Sequence, residues 1–215
     1  MTDRPAFPDG LRAFHGCDWA PVVAETELGL HLAQLAAAMP FAAVRALDAM
    51  GMPRDVLNAM VLAGDLARAR VAIDKGGLFE FDGPDAALLI AVREAGQVID
   101  VCAVRSAQPD EWAVLRGEGW LLGHAAFLRC LLDGEGELRV RGNPIDWLVG
   151  GAEGICVLDW SAAALGSLRG LGPKVTLICD DMRAAERLGA VLAWDGLPKV
   201  RSLDAVGEMN GRMAA

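Results

Sequence analysis

The chain has 215 residues, of which 53% are hydrophobic, and a formal net charge of −9 from 20 basic and 29 acidic side chains. This length and composition exclude intrinsic disorder, because the apolar residues suffice to bury a core. The negative net charge also excludes a protein that coats nucleic acid with a uniformly cationic surface. A local basic face is still compatible with this net charge.

The cysteine pattern and the apolar stretches bear on compartment. The five cysteines are widely spaced and form no CxxC pair, which favours free thiols in a reducing environment. Residues 32–44 form the most apolar stretch, but Gln34 and Pro40 interrupt it, and a bilayer requires about 20 apolar residues. The N-terminal residues lead into no apolar signal-peptide core. We therefore expect a cytoplasmic protein with no membrane association.

The first segment, residues 1–76, is predicted to be a helical lobe. Apolar residues recur at helical spacing, and Pro40 and Gly51 mark the ends of two helices. Asp65 is a plausible N-cap for a fourth helix. The predicted helices cover residues 22–38, 41–50, 54–62 and 66–73.

The second segment, residues 77–124, changes period and predicts an antiparallel β-meander of about four strands. Residues 79–81 alternate apolar and acidic, and residues 86–92 form a continuous apolar run. Residues 97–104 and 111–115 supply two further strands. Three glycines around Trp120 indicate a tightly curved loop.

The third segment, residues 125–215, alternates helix and strand. This order predicts a parallel sheet of three or four strands with helices on both faces, so the fold class is α/β. Asn143 and Ser161 are expected to cap two of the helices. The predicted strands cover residues 137–141, 154–160, 174–179 and 199–203, and the predicted helices cover residues 125–132, 145–149, 161–168 and 182–194.

Function in an open parallel sheet usually lies at the carboxyl ends of the strands. These ends present candidate binding residues: Arg141, Asn143, Asp159, Trp160 and Ser161. Three acids there, Asp159, Asp180 and Asp181, are candidate ligands for Mg²⁺, which prefers carboxylate oxygens. The alternative is that the acids cap the helices that follow them.

A second candidate surface is the segment from Trp112 to Trp120. Trp112 and Trp120, together with Arg116, could stack on bases and contact phosphates. The alternative is that these tryptophans fill the interior or cover a seam between segments.

Residues 140–203 resemble a toprim fold, the metal-dependent module of primases and topoisomerases, and specifically the primase-like toprim proteins of phages and mobile elements. Val140-Arg141-Gly142 lies at the first motif, where the family has Glu-Gly. Residues 175–180 correspond to the third strand, with Asp180 at the first acid of the Asp-x-Asp motif and Met182 at the second. Residues 156–160 correspond to the middle strand, and the preceding meander is similar to the small β region before toprim.

The resemblance implies a function, and the departures from it modify that function. With Arg141 in place of the glutamate and Met182 in place of an aspartate, it implies a non-catalytic, primase-like accessory protein that binds a replication protein or nucleic acid. One alternative is a Mg²⁺-dependent enzyme acting on phosphodiesters through Asp159, Asp180 and Asp181. Another is an interaction protein whose helical lobe docks a partner. Oligomeric state stays open.

Overall fold

The computed structural model describes residues 26–106, 108–192 and 198–203. Cys17, residues 22–25 of the first predicted helix and Trp194 lie outside the described residues. The helices are α1 (Glu27–Ala37), α2 (Phe41–Ala49), α3 (Arg54–Ala63), α4 (His124–Asp133), α5 (Pro144–Val149), α6 (Ala162–Gly166), a 3-10 helix (Ser167–Leu171) and α7 (Met182–Leu192). The strands are β1 (Leu66–Ile73), β2 (Phe79–Phe81), β3 (Asp85–Glu94), β4 (Gln97–Arg105), β5 (Gln108–Val114), β6 (Leu121–Leu122), β7 (Gly136–Arg141), β8 (Ile155–Val157), β9 (Val175–Cys179) and β10 (Lys199–Ser202).

The first sheet is antiparallel, with strand order β2-β1-β3-β4-β5. It curls until its two ends meet, because the Val114 N–H donates to the Gly77 carbonyl at 3.0 Å, beside an isolated bridge between Leu78 and Val114. Alternating residues of β3 and β4 enter two different cores: Leu89 lies in the core beneath α1, and Ile90 lies in the core shared with the second sheet. Both faces of these strands are therefore buried.

The prediction of a helix over residues 66–73 was wrong, because these residues form β1. The segment reads Leu-Ala-Arg-Ala-Arg-Val-Ala-Ile, and its arginines Arg68 and Arg70 are exposed whereas Ala67 and Val71 are fully buried. Six of these residues pair with β3 and three pair with β2. Sheet pairing therefore gives the segment more backbone hydrogen-bond partners than one or two helical turns would. The helices predicted at residues 41–50 and 54–62 are confirmed.

The second sheet has strand order β10-β9-β7-β8-β6. Its first four strands run parallel, as predicted, and the short β6 joins the edge antiparallel to β8, so the sheet is mixed. The strand predicted over 154–160 ends at Val157, because the N–H groups of Leu158 and Asp159 donate to the Trp120 carbonyl at 2.8 and 3.1 Å. The mixed α/β class is confirmed.

Helices cover both faces of the second sheet. Leu138 and Val140 of β7 pack into one core with α4, α6 and α7, whereas α5 packs on the opposite face. The core on that opposite face contains Leu57, Ile90 and Leu148, one from each of the three predicted segments. Apolar packing therefore continues across the boundaries predicted at residues 76 and 124.

The described helices are at most 11 residues long. None of them is by itself long and apolar enough to cross a bilayer. The pair α1 and α2, which meet at a 90° bend, satisfies the length and composition criteria when taken together.

Candidate functional site

The carboxyl ends of β7 and β9 lie side by side and carry opposite charges. The Asp180 N–H donates to the Val140 carbonyl at 3.2 Å, which places Asp180 beside Arg141. Arg141 Nη1 then lies 3.0 Å from Asp180 Oδ2, in an ion pair whose side chains are only 13% and 23% exposed. Because β8-β7-β9-β10 follows the 2-1-3-4 order of doubly wound sheets, this pair lies between the first and third strands, where the strand order reverses. Such sheets bind ligands at this point.

The Arg141–Asp180 pair is incompletely satisfied. Arg141 Nε and Asp180 Oδ1 are buried, and neither has a hydrogen-bond partner among the described residues. Arg141 Nη2 makes only a long contact of 3.5 Å to the Gly150 carbonyl. A Cβ at position 150 would lie 2.3 Å from Nη2, so a side chain there would force the guanidinium to shift.

The other two candidate metal ligands have local structural roles. Asp181 Oδ1 accepts from the Ala184 N–H at 2.7 Å and caps α7. Asp159 accepts from the Ser161 N–H at 2.8 Å and from its hydroxyl at 2.9 Å, while Ser161 caps α6. Within the described residues, no three His, Cys, Asp or Glu side chains are grouped so that they could hold a metal ion. The structure therefore does not bring Asp159, Asp180 and Asp181 together as a metal centre.

A cleft of about 500 Å³ opens beside the ion pair. Two exposed arginines of α7, Arg183 and Arg187, line it, and the Arg187 guanidinium stacks over the Trp160 ring at 4.2 Å from the ring centroid. Asn143 caps α5 through the Asp146 N–H at 2.9 Å. The remaining lining residues are Trp112, Gly142, Asn143, Asp146, Asp181 and Ala184.

The cleft also draws on the first sheet. Trp112 of β5 is half-buried, lines the cleft and donates from Nε1 to the Leu158 carbonyl at 3.4 Å. The strand ends and the Trp112 region therefore border one cleft. Of the predicted binding residues, Asn143, Trp112 and Trp160 line this cleft, whereas Arg141 precedes the lining residue Gly142.

Trp120 and Arg116 do not line this cleft. The Trp120 ring packs edge-to-face against Phe127 with centroids 5.4 Å apart, and it contacts the core beneath α4. Arg116 is exposed on the loop between β5 and β6. These positions favour the structural interpretation of Trp120, as a residue that covers a seam.

A buried carboxylate organises the loop between Trp112 and Trp120. Asp100 is fully buried. Its Oδ1 accepts from the N–H groups of Val101, Leu115 and Arg116 at 2.8, 3.0 and 2.9 Å. Its Oδ2 accepts from those of Glu118 and Gly119 at 2.8 and 3.0 Å. Five backbone donors thus converge on one side chain and fix the loop that precedes the Trp120 carbonyl.

The described cysteines are free, buried and poorly suited to nucleophilic chemistry. Burial, with smaller contributions from Asp181 and Asp180, raises the pKa of Cys179 to about 12. Burial also raises the pKa of Cys102, Cys130 and Cys156. Since the thiolate is the reactive form, these thiols are inert at neutral pH.

Sequence reasoning did not include the arginines of α7 in the site. Their position in the sequence could have placed them there. Arg183 and Arg187 lie one helical turn apart and directly follow a strand that ends in Asp180-Asp181. A helix that starts at the carboxyl edge of a sheet directs its first turns towards the crevice at that edge.

In comparisons with protein-family models, curated proteins and solved structures, nothing matched this chain. The function of the cleft therefore has to be inferred from its own side chains.

Proposed function

We propose that this protein binds nucleic acid in the cleft at the carboxyl edge of the second sheet and does not cleave it. One observation carries the proposal: Arg183 and Arg187 line a cavity of about 500 Å³ whose walls include the half-buried indoles of Trp112 and Trp160. Guanidinium groups pair with phosphates, and indoles stack on bases.

The charge distribution supports a local site. With a net charge of −9, the protein repels a polyanion over most of its surface, so contacts depend on a few well-placed cations. Asp146 and Asp181 are acceptors in the same cleft and can receive hydrogen bonds from base amino groups or sugar hydroxyls. The combination fits a nucleotide unit better than a bare anion.

The Arg141–Asp180 ion pair supports a non-catalytic role. In the toprim family that the sequence resembles, the position of Arg141 carries a glutamate, and acids at these strand ends bind metal. Here a guanidinium lies 3.0 Å from the carboxylate of Asp180 and already neutralises it. A Mg²⁺ ion at that carboxylate would have to displace Arg141 or lie beside its positive charge.

The biological setting of the proposal comes from the resemblance. We assign the protein the role of a replication accessory factor of a mobile element or phage, acting in the cytoplasm. The free, buried cysteines agree with a reducing compartment.

The test is a fluorescence-anisotropy titration of a labelled 12-nucleotide single strand at 50 and 200 mM salt. Arg187→Ala should lower the affinity and reduce the salt slope, log K against log salt, by about 0.7. Trp160→Ala should lower the affinity about five- to 150-fold, the range reported for loss of one stacked base. Arg68→Ala is the matched control. It removes the charge of an exposed side chain on β1 that does not line the cleft.

Three outcomes would contradict the proposal. The first is absence of binding at 50 mM salt, and the second is an equal loss with Arg68→Ala. The third is cleavage of the strand on addition of Mg²⁺ that Asp180→Asn abolishes, because this outcome would support the enzymatic alternative. A protein partner captured in nuclease-treated lysate, with no affinity for the oligonucleotide, would instead support a replication-protein partner.

A further inference from the structure

A second cavity, of about 460 Å³, shares Trp112 with the cleft. It belongs to the first sheet and to the turn between β1 and β2. Its lining residues are Ile73, Asp74, Lys75, Gly77, Arg105, Glu111 and Trp112. The indole of Trp112 therefore forms part of the wall of two adjacent cavities.

The turn that carries Lys75 is well ordered by hydrogen bonds. Asp74 Oδ1 accepts from the N–H groups of Gly76 and Leu78 at 2.7 and 3.0 Å, and the Asp74 N–H donates to the Leu78 carbonyl at 2.9 Å. The Val114 N–H attaches the same turn to β5 through Gly77. Lys75 thus projects from a fixed backbone, which reduces the entropy lost when a ligand binds.

Lys75 is the cation of this cavity that remains available to a ligand. Arg105 lines the cavity too, but its guanidinium lies 3.3 Å from Asp85 and 3.7 Å from Glu111. Lys75 is exposed and forms no ion pair within the part of the chain that the structure describes. A phosphate entering the cavity would meet the Lys75 ammonium without breaking an existing pair.

We propose that this second cavity is a further nucleic-acid subsite, in which Lys75 contacts a phosphate and Trp112 stacks on the base between the two cavities. The inference rests on the proposed function and specifies the kind of nucleic acid that is bound. The ligand is then an extended single strand that crosses Trp112, because a mononucleotide would occupy one cavity and leave the other empty. Each cavity volume lies within the range of about 300–1,000 Å³ that is typical of small-molecule sites.

The test compares wild-type protein with Lys75→Ala, Arg187→Ala and Lys199→Ala over oligothymidylates of 2 to 12 nucleotides, by competition against a labelled 12-mer. Lys199 is exposed at the amino end of the parallel strand β10, whereas the cleft lies at the carboxyl ends, and it is the matched lysine control. We expect Lys75→Ala to reduce the salt slope for the 12-mer by about 0.7. Its effect should vanish for the shortest strands, whereas the effect of Arg187→Ala should persist at every length.

The outcomes separate the subsite from the proposed function. If Lys75→Ala weakens all lengths equally, or no more than Lys199→Ala, the second subsite is overturned while nucleic-acid binding at the cleft stands. If the wild-type protein binds no oligonucleotide, the proposed function fails and the subsite falls with it. The three substituted side chains, Lys75, Arg187 and Lys199, are all exposed. Circular dichroism should therefore show that the variants are folded like the wild-type protein.

Discussion

Two carboxylates in this molecule, one in each sheet, have contrasting surroundings. In the first sheet, Asp100 is fully buried and accepts five backbone hydrogen bonds from two segments. In the second sheet, Asp180 is 23% exposed and pairs with Arg141, and each partner leaves one buried polar atom without a hydrogen bond among the described residues.

The two carboxylates therefore differ in how completely the fold satisfies their hydrogen-bonding capacity. All of the acceptor capacity of Asp100 is used inside the protein, so this residue contributes to folding and to the shape of the loop. The Arg141–Asp180 pair joins two strand ends and leaves Arg141 Nε and Asp180 Oδ1 without hydrogen-bond partners among the described residues. Four changes test this comparison, taken from the largest expected effect to the smallest.

Asp100→Asn should produce the largest loss of stability. The amide keeps one oxygen but turns an NH2 group towards the N–H groups of Glu118 and Gly119, which lose their acceptor. Two unsatisfied buried donors at about 1–3 kcal/mol each predict a loss of about 4 kcal/mol in the free energy of unfolding. Urea unfolding measures it.

Asp74→Asn is the matched control, because Asp74 also accepts two backbone N–H groups but lies exposed at a turn. Both of these bonds go to Oδ1, whose place the amide oxygen of Asn can take, and water reaches this exposed turn, so the decrease should be clearly smaller. Equal losses of unfolding free energy in the two variants would contradict this, because they would show that the burial of Asp100 does not increase the cost of the substitution.

Arg141→Ala should be next in size. It leaves the Asp180 carboxylate largely buried without its counter-charge, which predicts a loss of about 2–3 kcal/mol after allowance for partial exposure. The double variant Arg141→Ala/Asp180→Ala should recover part of that loss, giving a positive coupling in a double-mutant cycle.

The exposed pair Arg54–Asp48 is the control for this cycle, because Arg54 is 75% exposed. Arg54→Ala should change the midpoint of urea unfolding very little, since exposed ion pairs are screened by solvent. If the losses of Arg141→Ala and Asp180→Ala simply add up to the loss of the double variant, the pair carries no coupling.

The raised pKa of Cys179 predicts that the stability of the fold depends on pH in the alkaline range. Its pKa is raised from an ordinary value of 9.0 to about 12, so between these values the unfolded chain loses a proton that the folded chain keeps. Stability should therefore fall as pH rises from about 9 towards 12, by up to ~1.4 kcal/mol per pH unit for this group. Cys179→Ala should show a slope smaller by one proton in urea unfolding under reducing conditions, and an unchanged slope would refute the assignment.

Arg187→Ala should have the smallest effect on stability. The stacking of Arg187 on Trp160 at an exposed site contributes about 0.5–1 kcal/mol. The variant should thus unfold almost like wild type while losing affinity for the oligonucleotide. A large loss of stability would instead give the stack a structural role and weaken its interpretation as part of the binding cleft.

Local signals predicted much of the second sheet. The caps Asn143 and Ser161 accept the expected backbone N–H groups, from Asp146 and Ala164. The alternation of helix and strand over residues 125–203 predicted parallel strands, and four of the five strands are parallel. These features depend on neighbours in sequence, which is why a single chain reveals them.

Residues 66–73 show where local signals fail. Arginine and alanine favour helices, and Asp65 suits a cap, yet pairing with β3 outweighs both preferences. Asp65 instead pairs with Arg93 of β3 at 2.7 Å. The strand lies in a sheet whose other members are distant in sequence, so only the folded chain decides it.

The sequence by itself determined the α/β class, most helices of the lobe, the four parallel strands of the second sheet and the acids and arginine at their carboxyl ends. Only the tertiary structure decided that Trp112 and Trp160 line one cleft, that Arg187 covers the Trp160 ring, and that Arg141 neutralises Asp180. Periodicity and capping act over a few residues, whereas these contacts join positions 27 to 48 residues apart and depend on how two sheets pack.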